Sequence, residues 1–166
     1  DLPKLILQSI EFNRNAGFAE HSKMADIKVL THFSPDLPLI YASAAELQQV
    51  LLNLLRNAYQ ALISDDYKHA DELRVDISVQ VKKSEVIIEI KDNGPGIKEA
   101  VKDHIFEPFF TTKEVGKGTG LGLSVSYFII TEHHKGKITV SSHYGKGAIF
   151  EIRLPLTGER QISLDI

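Results

Sequence analysis

A chain of 166 residues, 43% hydrophobic and 25% charged, has the size and composition of one globular domain. A formal charge of −3 leaves no basic footprint for nucleic acid, and the absence of cysteine excludes a disulfide framework and a thiolate metal site. No apolar run approaches the ~20 residues of a spanning helix, and no signal-peptide pattern opens the chain, which begins at Asp1 as a piece of a longer protein would.

Leu2, Leu5, Ile6 and Ile10 form a helical stripe from Leu2 to about Gly17, with Gly17 as its stop. Ile27, Val29 and Phe33 predict a strand over Asp26–Phe33, followed by a turn at Pro35–Pro38 and a short extended piece, Leu39–Tyr41. The strongest helix signal comes next. Ser43 with Glu46 three residues later is a capping box, and Leu47, Val50, Leu51, Leu54, Ala58, Ala61 and Leu62 recur at three- and four-residue spacing. On the other face Glu46, Gln49, Asn53, Asn57 and Gln60 fall within about 40° of one direction. Asparagine competes with the helix backbone for hydrogen bonds, so two of them one turn apart ask for a reason. A merely polar face is the plain reading of that stripe; a ligand-facing row is the sharper one.

Ser64 to Asp71 is a polar loop. Leu73–Val81 alternates strictly, Lys82–Ser84 turns, and Val86–Lys91 is a second strand, giving an antiparallel hairpin. Asp92 stands at the end of that strand, where ligand-directed residues are often carried. From Ile97 to Gly118 the chain offers at most short helical pieces, and a loop of that length is commonly a functional lid. A helix is predicted from about Leu121 to His133. A second hairpin follows, built on Ile138–Ser142 and Ala148–Leu154 and ended by Pro155, with Leu156–Ile166 as a tail.

Six of the 11 glycines lie between Asp92 and Leu123. Glycine lets backbone approach a ligand closely, and a glycine-rich loop opening a helix favours phosphate. The run Gly116–Gly122 is neither a Walker loop, since Gly116-Lys117 is followed by Gly118, nor a dinucleotide fingerprint, which would follow a strand.

Four stretches in order resemble the ATP-binding catalytic domain of bacterial sensor histidine kinases, within the gyrase, heat-shock chaperone, histidine kinase and mismatch-repair ATPase superfamily. They are Asn53-Leu54-Leu55-Arg56-Asn57-Ala58, Asp92-Asn93-Gly94-Pro95-Gly96, Phe106-Glu107-Pro108-Phe109-Phe110-Thr111-Thr112-Lys113, and Gly116 to Leu123. The wording Asn57-Ala58-Tyr59-Gln60-Ala61 is similar to the nitrogen-regulation type. The resemblance spans Leu2 to about Leu156, so residues 1–156 are expected to form the catalytic domain and 157–166 a tail. It implies a two-layer α/β sandwich of the Bergerat type. A mixed, mostly antiparallel sheet of about five strands is covered on one face by about three helices.

The resemblance also supplies roles. Asp92 is expected to accept from the adenine amino group, Gly94, Gly96 and Ile97 to line the base, and Asn57 to give its amide oxygen to Mg²⁺. Asn53 faces the phosphates and, with Lys113, is a catalytic candidate. Gln60, Phe110, Thr111, Thr112, Lys113 and Lys117 extend the nucleotide set, and Gly118, Thr119, Gly120, Leu121, Gly122 and Leu123 form the phosphate cradle. The implied activity is transfer of the γ-phosphate of Mg-ATP to a histidine on a helical dimerisation and phosphoacceptor domain, and from there to a response regulator. None of the seven histidines is followed by Asp or Glu, so the acceptor motif is not in this chain. The family context implies a cytoplasmic domain without direct membrane contact, monomeric alone and dimeric in a full-length kinase with a possible inner-membrane anchor. The lid, Lys98–Lys117, is expected to become ordered on nucleotide.

Three departures from the family wording stand out. Gln60 replaces a frequent Lys or Arg, Gly147-Ala148 lacks a frequent hydroxyl beside the adenine network, and His134-Lys135-Gly136 replaces His-Gly-Gly. The competing readings are a gyrase- or chaperone-like ATPase, an anti-sigma-type serine kinase, and a catalytically silent nucleotide-binding module. The first would carry Glu at position 53 to orient water, and Asn cannot act as a general base.

Overall fold

The computed structural model describes residues 1–15, 26–64, 72–112 and 118–156. In chain order the elements are α1 (Leu2–Asn15), β1 (Lys28–Phe33), α2 (Ala44–Leu62), β2 (Arg74–Lys82), β3 (Glu85–Asp92), α3 (Glu99–Lys102), α4 (Gly122–Phe128), β4 (Lys137–Ser142) and β5 (Ala148–Pro155). The five strands form one sheet in the order β1-β2-β3-β5-β4. Only β1 and β2 are parallel; the two hairpins meet along β3 and β5, which are antiparallel.

Strand periodicity divides the sheet into two unlike faces. Val75, Ile77 and Val79 of β2, Val86, Ile88 and Ile90 of β3, and Phe150, Ile152 and Leu154 of β5 are buried on the helix side. They share one core with Leu47, Val50, Leu51, Leu54 and Leu62 of α2 and with Leu2, Ile6 and Ile10 of α1. The opposite face carries polar pairs, Ser78 with Glu89 at 3.2 Å and Arg153 with Glu151 at 2.7 Å. The helices that pack on the sheet among the described residues therefore lie on one side, and the expected two-layer sandwich is the fold. Among the described residues there are four α-helices where about three are expected, one of them the single turn Glu99–Lys102 inside the predicted irregular stretch.

Helix α2 begins where the capping box places it: Ser43 Oγ accepts from Glu46 N at 3.4 Å. The helix expected to run to His133 changes character earlier. After Phe128 the chain widens into a π-helical turn, Ile129–His133. That turn seats the His134 ring beside Ile129 O and under Ser43 N, which donates to Nε2 at 3.2 Å. Lys135, in place of the family glycine, takes φ 51, a left-handed conformation that costs a side-chain-bearing residue about 1–2 kcal/mol. Leu39–Tyr41 is not a strand. The expected stop at Gly17, most of the Ser64–Asp71 loop and the tail from 157 lie outside the described residues.

Candidate functional site

Helix α2 is the floor of the site. Its polar stripe splits into two parts. Glu46 is engaged by His133, with Oε1 2.6 Å from Nδ1, so the N-terminal end of the stripe serves packing against the π-helical turn. Asn53, Asn57 and Gln60 are half-buried on one side of the helix, and Asn53 meets Gly122 of the second glycine segment. Gly94 packs on the C-terminal end of α2: a Cβ placed there would lie 3.5 Å from Ala61 Cβ and 3.6 Å from Leu62 Cδ2. Gly122 packs on its middle, where a Cβ would lie 3.6 Å from Asn53 Cγ. Positions 53 and 61 are separated by ~12 Å along a helix axis, at 1.5 Å per residue. The site thus has two ends, with Asn57 midway.

At one end is Asp92, 4% exposed on the helix side of β3. Gly94 N donates to its Oδ1 at 2.9 Å. Burial pushes the carboxyl above its ordinary range, and the backbone N–H groups of Gly94 and Ala148 pull it back. A buried carboxylate held by backbone donors on one side is an acceptor for a ligand N–H on the other. Asn93 turns away: its Oδ1 accepts from Arg74 N and its Nδ2 donates to Glu72 O, both at 2.7 Å, clipping the loop to β2.

The loop after Asn93 is pinned to the β4–β5 turn. Gly145 N donates to Pro95 O at 2.6 Å and Ile97 N to Ser142 Oγ at 2.8 Å. Ser142, which sequence reasoning missed, is 5% exposed and donates onward to Gly147 O at 2.7 Å. It sits opposite Ala148 in the strand register, so the missing hydroxyl at 148 is matched by one on the neighbouring strand that holds Ile97 in place. Gly96 has φ +72, and a Cβ there would collide with His143 O and lie 3.0 Å from Gly147 O. Gly96→Ala should therefore cost about 2–3 kcal/mol through positive-φ strain and backbone clash. In thermal melts the expected fall is roughly 5–10 °C; an unchanged melting temperature would show that the turn relaxes freely.

At the other end, Asn53 Nδ2 donates to Gly122 O at 3.1 Å and to Ser126 Oγ at 3.2 Å. Ser126 was also missed by the sequence reading, being one serine in a helix. No side chain caps the N-terminus of α4, and Gly118, Thr119 and Leu121 are exposed before it while Leu123 packs on the core. Gly120, at φ +66, lies against Phe109, whose N donates to Gly120 O at 3.0 Å.

The aromatic stretch is not uniform. Ile105 is buried, Phe106 packs on Phe150 and Tyr127 at 6.5 and 5.5 Å between ring centroids, and Phe110 rests partly on the core. Phe109 is 76% exposed and takes φ 65. Ile105, Phe106 and Phe110 thus tie this stretch to the core, while Phe109 stands out of it. Thr111 and Thr112 are exposed, and Lys113 and Lys117 lie outside the described residues.

A family model described as histidine kinase-, DNA gyrase B- and HSP90-like ATPase matches residues 42–158, more than half of the chain and every site residue above. The chain belongs to this ATPase family. Within the family it is similar to the catalytic domains of sensor histidine kinases. Sporulation kinase E of Bacillus subtilis (strain 168) is 37% identical over 136 residues, covering 81% of this chain and 17% of that protein. The catalytic domain of histidine kinase ThkA matches with a TM-score of 0.75 at 30% identity, covering 95% of each chain. ThkA in complex with response regulator protein TrrA matches at 0.71 and 27% identity, over 95% of this chain and 41% of that one. Full-length ShkA in complex with AMPPNP gives 0.75 and 27%, over 96% and 31%. The chain spans a fifth or less of the length of the first curated relatives it matches. The finer likeness to nitrogen-regulation-type kinases has loose support, since such relatives stand beside sporulation kinases of higher identity.

For a member of this ATPase family the donor set suits Mg²⁺. The Asn57 side chain has no hydrogen-bond partner among the described residues, and amide oxygens are hard donors. Among the described residues no three His, Cys, Asp or Glu side chains gather as a metal cage. Mg²⁺ is usually bound through one or two protein oxygens together with substrate phosphates and water, and Asn57 offers one such oxygen. No helix of the described residues is long and apolar enough to cross a membrane.

Proposed function

We propose that this domain binds Mg-ATP and transfers the γ-phosphate to a histidine on a helical dimerisation and phosphoacceptor domain. That domain would relay the group to a response regulator. The observation that carries the reading is the two-ended site on α2: the buried Asp92 acceptor at one end and the Asn53–Gly122 contact ~12 Å away at the other. Adenine would sit on Asp92 with Gly94, Gly96 and Ile97 beside it. The phosphates would lie over the Gly118–Leu123 backbone, and Asn57 would hold Mg²⁺ between the two ends. Bound Mg²⁺ supplies charge neutralisation on the phosphates, and the rest is positioning. The imidazole nitrogen attacks the γ-phosphorus in line as the bond to ADP breaks, so ADP leaves with the electron pair.

Gln60, Phe110, Thr111, Thr112, Lys113 and Lys117 belong to the same proposal, Lys113 as a cation near the phosphates. So does a cytoplasmic setting, with the chain monomeric alone and paired through the phosphoacceptor domain. A hydrolytic reading is disfavoured because position 53 carries an amide whose nitrogen is already bonded to Gly122 O and Ser126 Oγ.

Mg-ATP should stabilise the domain by about 2.7 kcal/mol at a hundredfold excess over Kd. For 166 residues that corresponds to a rise in Tm of roughly 5–10 °C. Melting curves with Mg-ATP, with Mg-GTP and with neither test this; no shift with Mg-ATP, or an equal shift with Mg-GTP, overturns the adenine site.

A further inference from the structure

We infer that Ser126 is a positioning residue that holds the Asn53 amide with its carbonyl oxygen turned toward the phosphate end of the site. Ser126 is 0% exposed, and a hydroxyl so buried needs partners. It has two. Its Oγ–H donates to Gly122 O at 2.8 Å, which leaves its lone pairs for Asn53 Nδ2 at 3.2 Å. Asn53 Nδ2 also donates to Gly122 O at 3.1 Å. A carbonyl only accepts, so the atom of Asn53 that faces Gly122 must be the nitrogen. The donor pole of the amide is spent inward, and Oδ1 is the pole left outward.

This orientation decides what Asn53 can do. An outward oxygen accepts; it suits a metal-bound water or another donor and repels a bare phosphate oxygen. Asn53 thus acts on the metal–water side of the phosphates rather than as a phosphate donor. Without the Ser126 hydroxyl, only Gly122 O still selects the nitrogen, and the terminal torsion, which is broad and two-fold, is held less firmly. A share of the molecules would then present –NH₂ outward. The closure of the triangle on Gly122 also ties this choice to the backbone that enters the glycine loop.

The inference rests on the proposal that Asn53 stands at the phosphate end, and the experiment separates the two. Calorimetry on the whole chain would measure Mg-ATP and adenosine affinity for the wild type, Ser126→Ala, the size-matched Ser126→Cys, Asn53→Ala and the Asn53→Ala/Ser126→Ala pair. The expected result is a loss of about five- to tenfold for Mg-ATP in Ser126→Ala, a smaller loss in Ser126→Cys, and unchanged adenosine affinity. In the Asn53→Ala background Ser126→Ala should add nothing. The Asn53 side-chain amide signals in nitrogen-15 spectra should exchange faster with water in Ser126→Ala. Equal Mg-ATP affinity in wild type and Ser126→Ala overturns the role, as does a loss shared by adenosine or one that persists without Asn53. Failure of the wild type to bind Mg-ATP overturns the site reading itself.

Discussion

Asp92→Asn should weaken ATP binding by about 1.5–3 kcal/mol, roughly 10- to 150-fold, and leave the unliganded domain at least as stable as before. Asp92 is 4% exposed, and burial raises its carboxyl above the ordinary range. Keeping a charge there costs folding energy that the surrounding backbone N–H groups only partly offset. An amide of the same shape removes the charge, so the free protein does not suffer. The ligand does: an amide oxygen is a weaker acceptor for the adenine amino group, and the –NH₂ end opposes it. pH provides a second readout. On the proposed reading the ionised carboxyl is the stronger acceptor for adenine, so affinity should fall as pH drops, beginning at a higher pH than an ordinary carboxylate would allow. Fold stability moves the other way for this group. Its folded pKa is raised, so the folded state binds the proton more tightly than the unfolded state. The destabilisation is complete above the folded pKa and is relieved as pH falls through it. Calorimetry and melts across pH check both trends; equal ATP affinity in the variant removes Asp92 from the site.

Asn57→Ala should abolish phosphotransfer, by about 100-fold or more, while the domain becomes no less stable. Asn57 lies half-buried inside α2 without a hydrogen-bond partner among the described residues. Alanine is the better helix former there by roughly 0.6 kcal/mol. A residue that weakens its helix and bonds to none of the described residues is explained by a ligand, and the only hard oxygen its side chain offers is the amide carbonyl. Radiolabelled ATP supplies the check. The chain alone should take up no label, since it carries no acceptor motif; with a helical hairpin bearing the acceptor histidine, label should pass to the imidazole. Transfer unchanged by Asn57→Ala, or stable label on the chain alone, overturns the proposal and favours a serine-kinase reading.

The sequence by itself determined much of this protein because its signals are local. The capping box and apolar stripe of α2, the strict alternation of β2 and the glycine runs each follow from spacing along one element. The row Asn53, Asn57, Gln60 was likewise legible from helical geometry alone, and so was Asp92 at a strand end. What only the tertiary structure decided are contacts between elements far apart in sequence. The parallel placement of β1 against β2, the loss of Glu46 to His133, and the turning of Asn93 toward β2 have no local signature. Nor does the pole that Asn53 presents, since a side-chain amide offers a donor and an acceptor equally until Gly122 O and Ser126 Oγ, some 70 residues away, take the donor. Periodicity says which face a residue is on; only packing says which of its atoms is already taken.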